Sequence, residues 1–536
     1  MDIPQATKVF DVVTYSGSAS TQNIAHNLGS VPGCIIVKRT SGVEDWFVYH
    51  TSLGNTQYIK LNTTGAVASG FSPWNNTSPT STQFTVLGGR TEVNAAGSTY
   101  VAYLFAHNAG GFGLTGTDNV ISCGSYSGST TVSLGYEPQW ILTKDSASVD
   151  NWYILDCQRQ MTISSAGGVG TDSVLFPNTS GAETTATKIT PTSTGFITQD
   201  SAGPHIYIAI RRGLMKVPTD ATKVFAPVAY TGTNVDNRLV NTGIVTDMTM
   251  ARIRTATSTG SFYTSDRLRG NASLGTAIAD AENTDADSFM TPTVGYGGPF
   301  SAMNGFGVGN DVTRQLNQSS TAQLAYAFQR ASGFFDEVCY TGTGSARTVS
   351  HNLGVVPEMM IVKKRSNTGD WPIYQAALGA TKMIELNSAG AASVSSTRWN
   401  DTAPTASVFT VGTHTSVNAS GDTYVAYLFA TCAGVSKVGS YTGTGTTKQI
   451  DCGFTSGSRF VMIKRTDSPA VGDWYVWDSA RGIVSGNDPY MFLNSTAAEV
   501  TNTDYVDTYS AGFEISSTAP AEINANGGTF IFLAIA

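Results

Sequence analysis

The sequence predicts an all-β protein of five tandem antiparallel β-sandwich or jelly-roll-like domains in an elongated array. A Tyr-Ser-Gly or Tyr-Thr-Gly opening recurs at Tyr15, Tyr126, Tyr230, Tyr340 and Tyr441. Each copy closes on an apolar run, at 101–106, 206–210, 324–328, 425–430 and 530–535. Between them lie short β-branched and aromatic runs separated by Gly, Asn, Pro and Ser clusters, without helical periodicity. The Tyr-to-Tyr spacings of 111, 104, 110 and 101 residues are those of domains, beyond the roughly 20–50 residues of a solenoid repeat. The expected boundaries are 1–110, 111–213, 214–331, 332–433 and 434–536.

The first copy sets the template. An opening strand is expected near Val9 to Thr14, followed by His26-Asn27-Leu28-Gly29, Pro32 and a strand at Cys34 to Lys38. Further strands are expected at Asp45 to Tyr49, Tyr58 to Leu61, Gln83 to Leu87 and Thr99 to Ala106. In the closing run neither alternating set is polar, so that strand should be buried on both faces. The fourth copy repeats the first: 13 of 24 positions are identical between 26–49 and 351–374, and the octapeptide 99–106 returns unchanged at 423–430. The second copy resembles the fifth, and the third is divergent, giving an order A-B-C-A-B. Connections between copies are short, which suits a stiff string of domains.

Composition narrows the function. Among 536 residues, 41% are hydrophobic and 10% aromatic, too many for a disordered chain, while only 13% are charged, so the surface is largely neutral and polar. A net charge of -8 without a basic block argues against nucleic acid. No apolar stretch approaches the roughly 18 residues that insert into a membrane, and the first residues lack the pattern of a secretory signal. Cys34 and Cys123 face Met359 and Val438 in the matching copies, so the six cysteines are expected to be unpaired thiols made in a reducing cytoplasm.

Few residues invite chemistry. His26 and His351 each precede Asn-Leu-Gly and are read as structural hydrogen-bonding groups. No His or Cys spacing suits zinc, the acidic run 280–287 lacks the glycine and closing glutamate of a calcium loop, and no cofactor is expected. Asp45, Asp370 and Asp473 precede recurring tryptophans at turns, and catalysis is not expected of them. The recurring core is Tyr15, Trp46 and Phe84; Tyr126, Trp152 and Phe196; Tyr230 and Phe306; Tyr340, Trp371 and Phe409; Tyr441, Trp474 and Phe513. Trp74-Asn75 and Trp399-Asn400 lie in loop-like segments of the A-type copies. They are read first as packing residues and second as glycan or receptor contacts. On the second reading, Trp74→Ala and Trp399→Ala would abolish binding and leave melting intact.

Tyr-Thr-Gly-Thr-Gly (340–344), His-Asn-Leu-Gly-x-x-Pro (351–357), Ile-Val-Lys (361–363), Asp-Trp (370–371), Trp-Asn-Asp-Thr-Ala-Pro-Thr (399–405) and Tyr-Val-Ala-Tyr-Leu-Phe-Ala (424–430) carry a resemblance. They resemble repeated modules in virion proteins of tailed bacteriophages, especially marine phages, often assigned as tail fibres or related appendages. The resemblance implies a non-enzymatic virion structural protein, a homotrimer by class, assembled in the host cytoplasm and displayed on the tail or another external appendage. Its implied partners are other phage virion proteins and a host surface glycan or protein receptor. A capsid-decoration or tail component docking to other virion proteins, and a polysaccharide-degrading tailspike, are the alternatives.

Overall fold

The computed structural model describes residues 9–113, 116–159, 161–163, 172–200, 202–213, 216–236, 238–255, 261–270, 277–280, 288–289, 300–309, 316–467 and 472–536. It is all-β and its sheets are antiparallel, as the alternating runs predict. The chain divides into two compact units, Met1–Met161 with Val169–Met215, and Thr162–Gly168 with Lys216–Ala536.

In the first unit an opening strand, Phe10–Ser16, pairs with a closing strand, Thr99–Ala106. The closing strand pairs on its other edge with an inner strand, Pro32–Arg39, which continues to an outer strand, Phe47–His50, and then Ile59–Lys60. A second sheet repeats the order opening, closing, inner and outer with Ile121–Ser127, Pro204–Arg211, Pro138–Asp145 and Trp152–Asp156. Each stretch adds a smaller sheet, Gln22–Ala25 with Gln83–Val86 and Thr131–Ser133 with Gly195–Thr198 and Ile189–Thr192. Gln22–Ala25 was not legible in the sequence, because only Ile24 of its four residues points into the core.

The second unit builds the same order three times. Its opening, closing, inner and outer strands are Phe225–Thr231, Ala322–Phe328, Met248–Ile253 and Tyr263–Asp266; then Phe335–Thr341, Thr423–Phe429, Met359–Lys364 and Pro372–Gln375; then Ser436–Thr442, Thr529–Ile535, Phe460–Arg465 and Tyr475–Asp478. Smaller pairs again accompany them, Arg238–Asn241 with Gly305–Val308, Arg347–Ser350 with Val408–Val411 and Lys448–Asp451 with Gly512–Ile515.

Side chains alternate across a strand, so each larger sheet has two faces to cover. In the first unit Ile35 and Val37 point into one core with Trp74, Phe84 and Leu104 of the same repeat. Their neighbours Cys34 and Ile36 point the other way, into a second core shared with Leu142, Trp152, Ile206 and Ile208 of the next repeat. The Trp152 indole N–H crosses this seam to the Lys60 carbonyl at 2.9 Å. In the second unit Trp474 makes the matching bond to the Glu385 carbonyl, also at 2.9 Å, and the apolar faces of all three larger sheets meet in one core.

His50 closes the first unit's seam. It is 1% exposed, its Nε2 donates to the Tyr207 carbonyl at 3.0 Å, and its Nδ1 accepts from the Ser52 N–H at 3.2 Å, which fixes a neutral ring. Burial pushes its pKa from 6.5 down to about 4. The unfolded chain therefore binds a proton that the folded one refuses, and stability falls as pH drops from 6.5 towards 4. The matching residue of the fourth repeat is Gln375, which suggests the test. His50→Gln should flatten the fall in the urea midpoint over this window, recovering up to about 3 kcal/mol; an unchanged slope would contradict the assignment.

Candidate functional site

The four residues singled out for ligand contact divide into two kinds. Trp74 is 2% exposed, its indole N–H bonded to the Gln57 carbonyl at 3.0 Å and its ring edge-on to Tyr49. Trp399 is fully buried at the end of the one-turn helix Ser396–Trp399, edge-on to Tyr374 and clustered with Phe409. Neither ring has a face open to a sugar, which corrects the stacking-platform reading and leaves the packing one. Asn75 and Asn400 are exposed and take left-handed backbone, with φ of 52° and 53°. Asn tolerates that conformation better than most residues, and each ends the turn that turns its Trp inward. Trp74 and Trp399 belong to different units.

The recurring aromatics meet inside each repeat. Tyr15 stands edge-on to Phe84, Tyr126 to Phe196 and Tyr340 to Phe409, with ring centroids 6.2, 6.1 and 6.0 Å apart. Tyr230 and Phe306 share one cluster, as do Tyr441 and Phe513. Four of the five hydroxyls reach a backbone carbonyl: Tyr15 to Val93, Tyr230 to Leu316, Tyr340 to Val417 and Tyr441 to Ile523, at 2.6–2.8 Å. Tyr126 instead donates to Asp200 at 2.6 Å. The glycine two residues on is required by close approach. A Cβ on Gly342 would lie 2.1 Å from the Ala419 carbonyl oxygen.

The Asp-Trp signature is a clamp. The Trp46 N–H donates to Asn62 Oδ1 at 2.9 Å, and Asn62 Nδ2 donates back to Asp45 at 2.9 Å. Trp152 with Asn178 and Asn151, Trp371 with Asn387 and Asp370, and Trp474 with Asn494 and Asp473 repeat it. The histidines are structural too. His26 and His351 each accept from the leucine N–H two residues on and donate to a threonine carbonyl, and burial lowers both pKa values.

Sequence reading missed another recurring set. Buried Asn94, Asn317, Asn418 and Asn524 accept, at 2.7–3.0 Å, from the N–H that follows the Tyr-x-Gly opening. An Asn-Ala-x-Gly repeat at 94, 418 and 524 was the available signal. No disulfide joins the six cysteines. Among the described residues no three His, Cys, Asp or Glu side chains gather as a metal site, and no helix is long and apolar enough to cross a membrane. Beyond Asp280, the acidic run 280–287 lies outside the described residues.

A family model described as a domain of unknown function, DUF7483, matches residues 4–209 and 220–536. The chain belongs to the DUF7483 family. The break between the two matched stretches contains the boundary between the compact units. No curated protein matches this DUF7483 chain.

One concavity of its second unit has the size of a ligand site. A half-open groove of about 700 Å³ runs between the fourth and fifth repeats, past Lys382, Ala391, Thr466, Asp467 and Thr529. Lys382 is exposed, and the Thr466 and Thr529 hydroxyls bond each other at 2.8 Å. Burial works to raise the Asp467 pKa, but bonds from Arg465 and the Thr529 N–H prevail and hold it below the ordinary carboxylate value. The groove offers hydroxyls, one cation and one anion, which suits hydrogen bonding to a polar, neutral ligand.

Because Trp399 is a core residue, Trp399→Ala should lower stability by about 3–5 kcal/mol. Differential scanning calorimetry of the full chain measures this, and an unshifted transition with lost ligand binding would restore the stacking role.

Proposed function

We propose that this DUF7483 chain is a non-enzymatic structural subunit of a tailed-phage particle, displayed on the tail or another external appendage and contributing to host attachment. On this reading the five pairs of larger and smaller sheets are five sandwich domains in tandem, multiplying weak contacts into avidity. The supporting observation is that the motifs which resemble phage virion modules are the ones that build the scaffold: the Tyr-x-Gly latch, the Asp-Trp-Asn clamp and the apolar closing strand.

The groove beside Lys382 and Asp467 is where a glycan would bind on this reading, since its hydroxyl groups can recognise sugar hydroxyls. Six cysteines joined by no disulfide support assembly in a reducing cytoplasm. Labelled antibody against the chain, imaged on purified particles by electron microscopy, is expected to mark the tail or its fibres. Label confined to the head would replace attachment with capsid decoration, and release of reducing sugars from host polysaccharide would replace it with a depolymerase.

A groove variant tests the second half of the proposal. Lys382→Glu, at an exposed position, is expected to reduce binding of the chain to host cells several-fold at an unchanged melting temperature. Equal binding by the variant would remove the groove from the reading.

A further inference from the structure

Two joints of the second unit share one chemistry. At the first, the Tyr326 hydroxyl, from the closing strand of the third repeat, donates to Asp478 Oδ2 at 2.9 Å. Arg481 bonds the same carboxylate at 2.6 Å and reaches the tyrosine oxygen at 3.3 Å. At the second, Tyr427 of the fourth repeat donates to Asp266 at 2.7 Å, and Arg269 donates to the Tyr427 oxygen at 2.8 Å. Each joint sets a tyrosine from one closing strand onto an Asp and an Arg three residues apart at the end of another repeat's outer strand. All four charged side chains are fully buried.

The first unit carries both halves of this joint. Asp156 and Arg159 hold the Asp478 and Arg481 positions, bonded to each other at 2.7 Å. Glu183 lies 3.2 Å from Arg159, as Glu499 lies 3.4 Å from Arg481. In the second unit Glu499 also receives Arg254 of the third repeat, at 2.7 Å. Tyr103 stands at the register of Tyr427, inside the same octapeptide, opposite Val12 and Ile36. Its hydroxyl makes no hydrogen bond to a described residue.

Exposure separates the two units at matching positions. Phe10 is 41% and Val12 48% exposed, whereas Phe335 and Glu337 are both 0%. Trp46, Phe105, Trp140 and Ile210 are half-buried, whereas Trp371, Phe429, Phe460 and Ile535 are at most 3% exposed. The side chains of Asp156 and Arg159 are 18% and 23% exposed. The first unit thus presents an aromatic face flanked by Tyr103 on one repeat and, on the other, an Asp156–Arg159 pair that receives no tyrosine from another repeat.

We propose that this face is a self-association surface, on which the first unit of one chain docks against the first unit of a second copy. Tyr103 of one copy donates to Asp156 of the other beside its Arg159, reproducing between chains the contact that Tyr326 and Tyr427 make within one. A second copy fits because a single chain offers both the donor and the acceptor, and its Phe10 meets Ile210 as Phe335 meets Phe328, and Trp140 as Phe225 meets Phe460. About a two-fold axis both joints form at once and the contact is isologous; with one joint per pair of chains it is heterologous and closes as a larger ring. The inference does not rest on the phage reading.

Sedimentation velocity of the full chain at micromolar concentrations tests it. The wild type is expected to associate, Tyr103→Phe to weaken association about tenfold by removing one charge-assisted hydrogen bond, and Val12→Asp to give monomer. Val12→Asp sits at an exposed position, so its melting temperature should match wild type and separate lost docking from lost folding. A wild type that stays monomeric at tens of micromolar would overturn the proposal, leaving the face to a different chain. So would an oligomer whose affinity Tyr103→Phe, Val12→Asp and Asp156→Asn all leave unchanged.

Discussion

Every repeat places its closing strand in the middle of the larger sheet, hydrogen-bonded along both edges, and in the second unit it is packed on both faces. That double coverage is the constraint from which the rest follows. A strand covered on both sides is largely apolar on both faces, so its sequence loses the polar alternation of a solvent-facing strand. Its neighbours must then supply two cores in place of one. The smaller sheet of the same repeat supplies the first, and the larger sheet of another repeat supplies the second. Repeats of this design gain little by standing alone, and the single core shared by three larger sheets in the second unit is the result.

Burying two faces brings polar groups into low dielectric, and devices that recur in most repeats meet that cost. The clamp of Asn on the Trp N–H fixes where the outer strand starts, and the indole N–H is left to reach across the seam. A lysine of the inner strand lies over the ring of the same tryptophan, with Lys38, Lys363 and Lys464 placed 5.6–5.8 Å from the ring centroids. Its ammonium group donates to a backbone carbonyl of the turn that leads to that tryptophan. Burial drives the Lys464 pKa down to about 8, while the carbonyls of Ser388 and Gly472 replace its water. The cation–π contact and these bonds let a charge sit under the sheet.

Internal repetition made much of this legible. Tyr15, Phe84 and Trp371 could be assigned to cores because a position that returns as the same large aromatic reports packing. Closing strands were found to within two residues because apolar runs are the strongest strand signal. Gln22–Ala25 escaped because a two-stranded sheet covering one core needs a single inward side chain. Trp74 and Trp399 were the ambiguous case: their neighbours Asn, Thr and Pro read as loop, and only the left-handed turn at Asn75 and Asn400 decides that each ring faces inward. Asn94 and its equivalents were hidden for the opposite reason. A buried Asn that satisfies a backbone N–H has the composition of a turn and the role of a core residue. The groove beside Lys382 draws on strands from two repeats, and no local pattern announces such a place.

The central position of the closing strand also bears on synthesis. The first strand of a repeat pairs with its last, Tyr15 lying opposite Tyr100 and Tyr340 opposite Tyr424. No larger sheet can be zipped until nearly the whole repeat has been made, and contacts so distant in sequence form slowly. Folding on the ribosome therefore advances in domain-sized steps, each opening strand waiting with its apolar side chains exposed until its partner emerges. The repeat is thus a temporal unit as well as a spatial one.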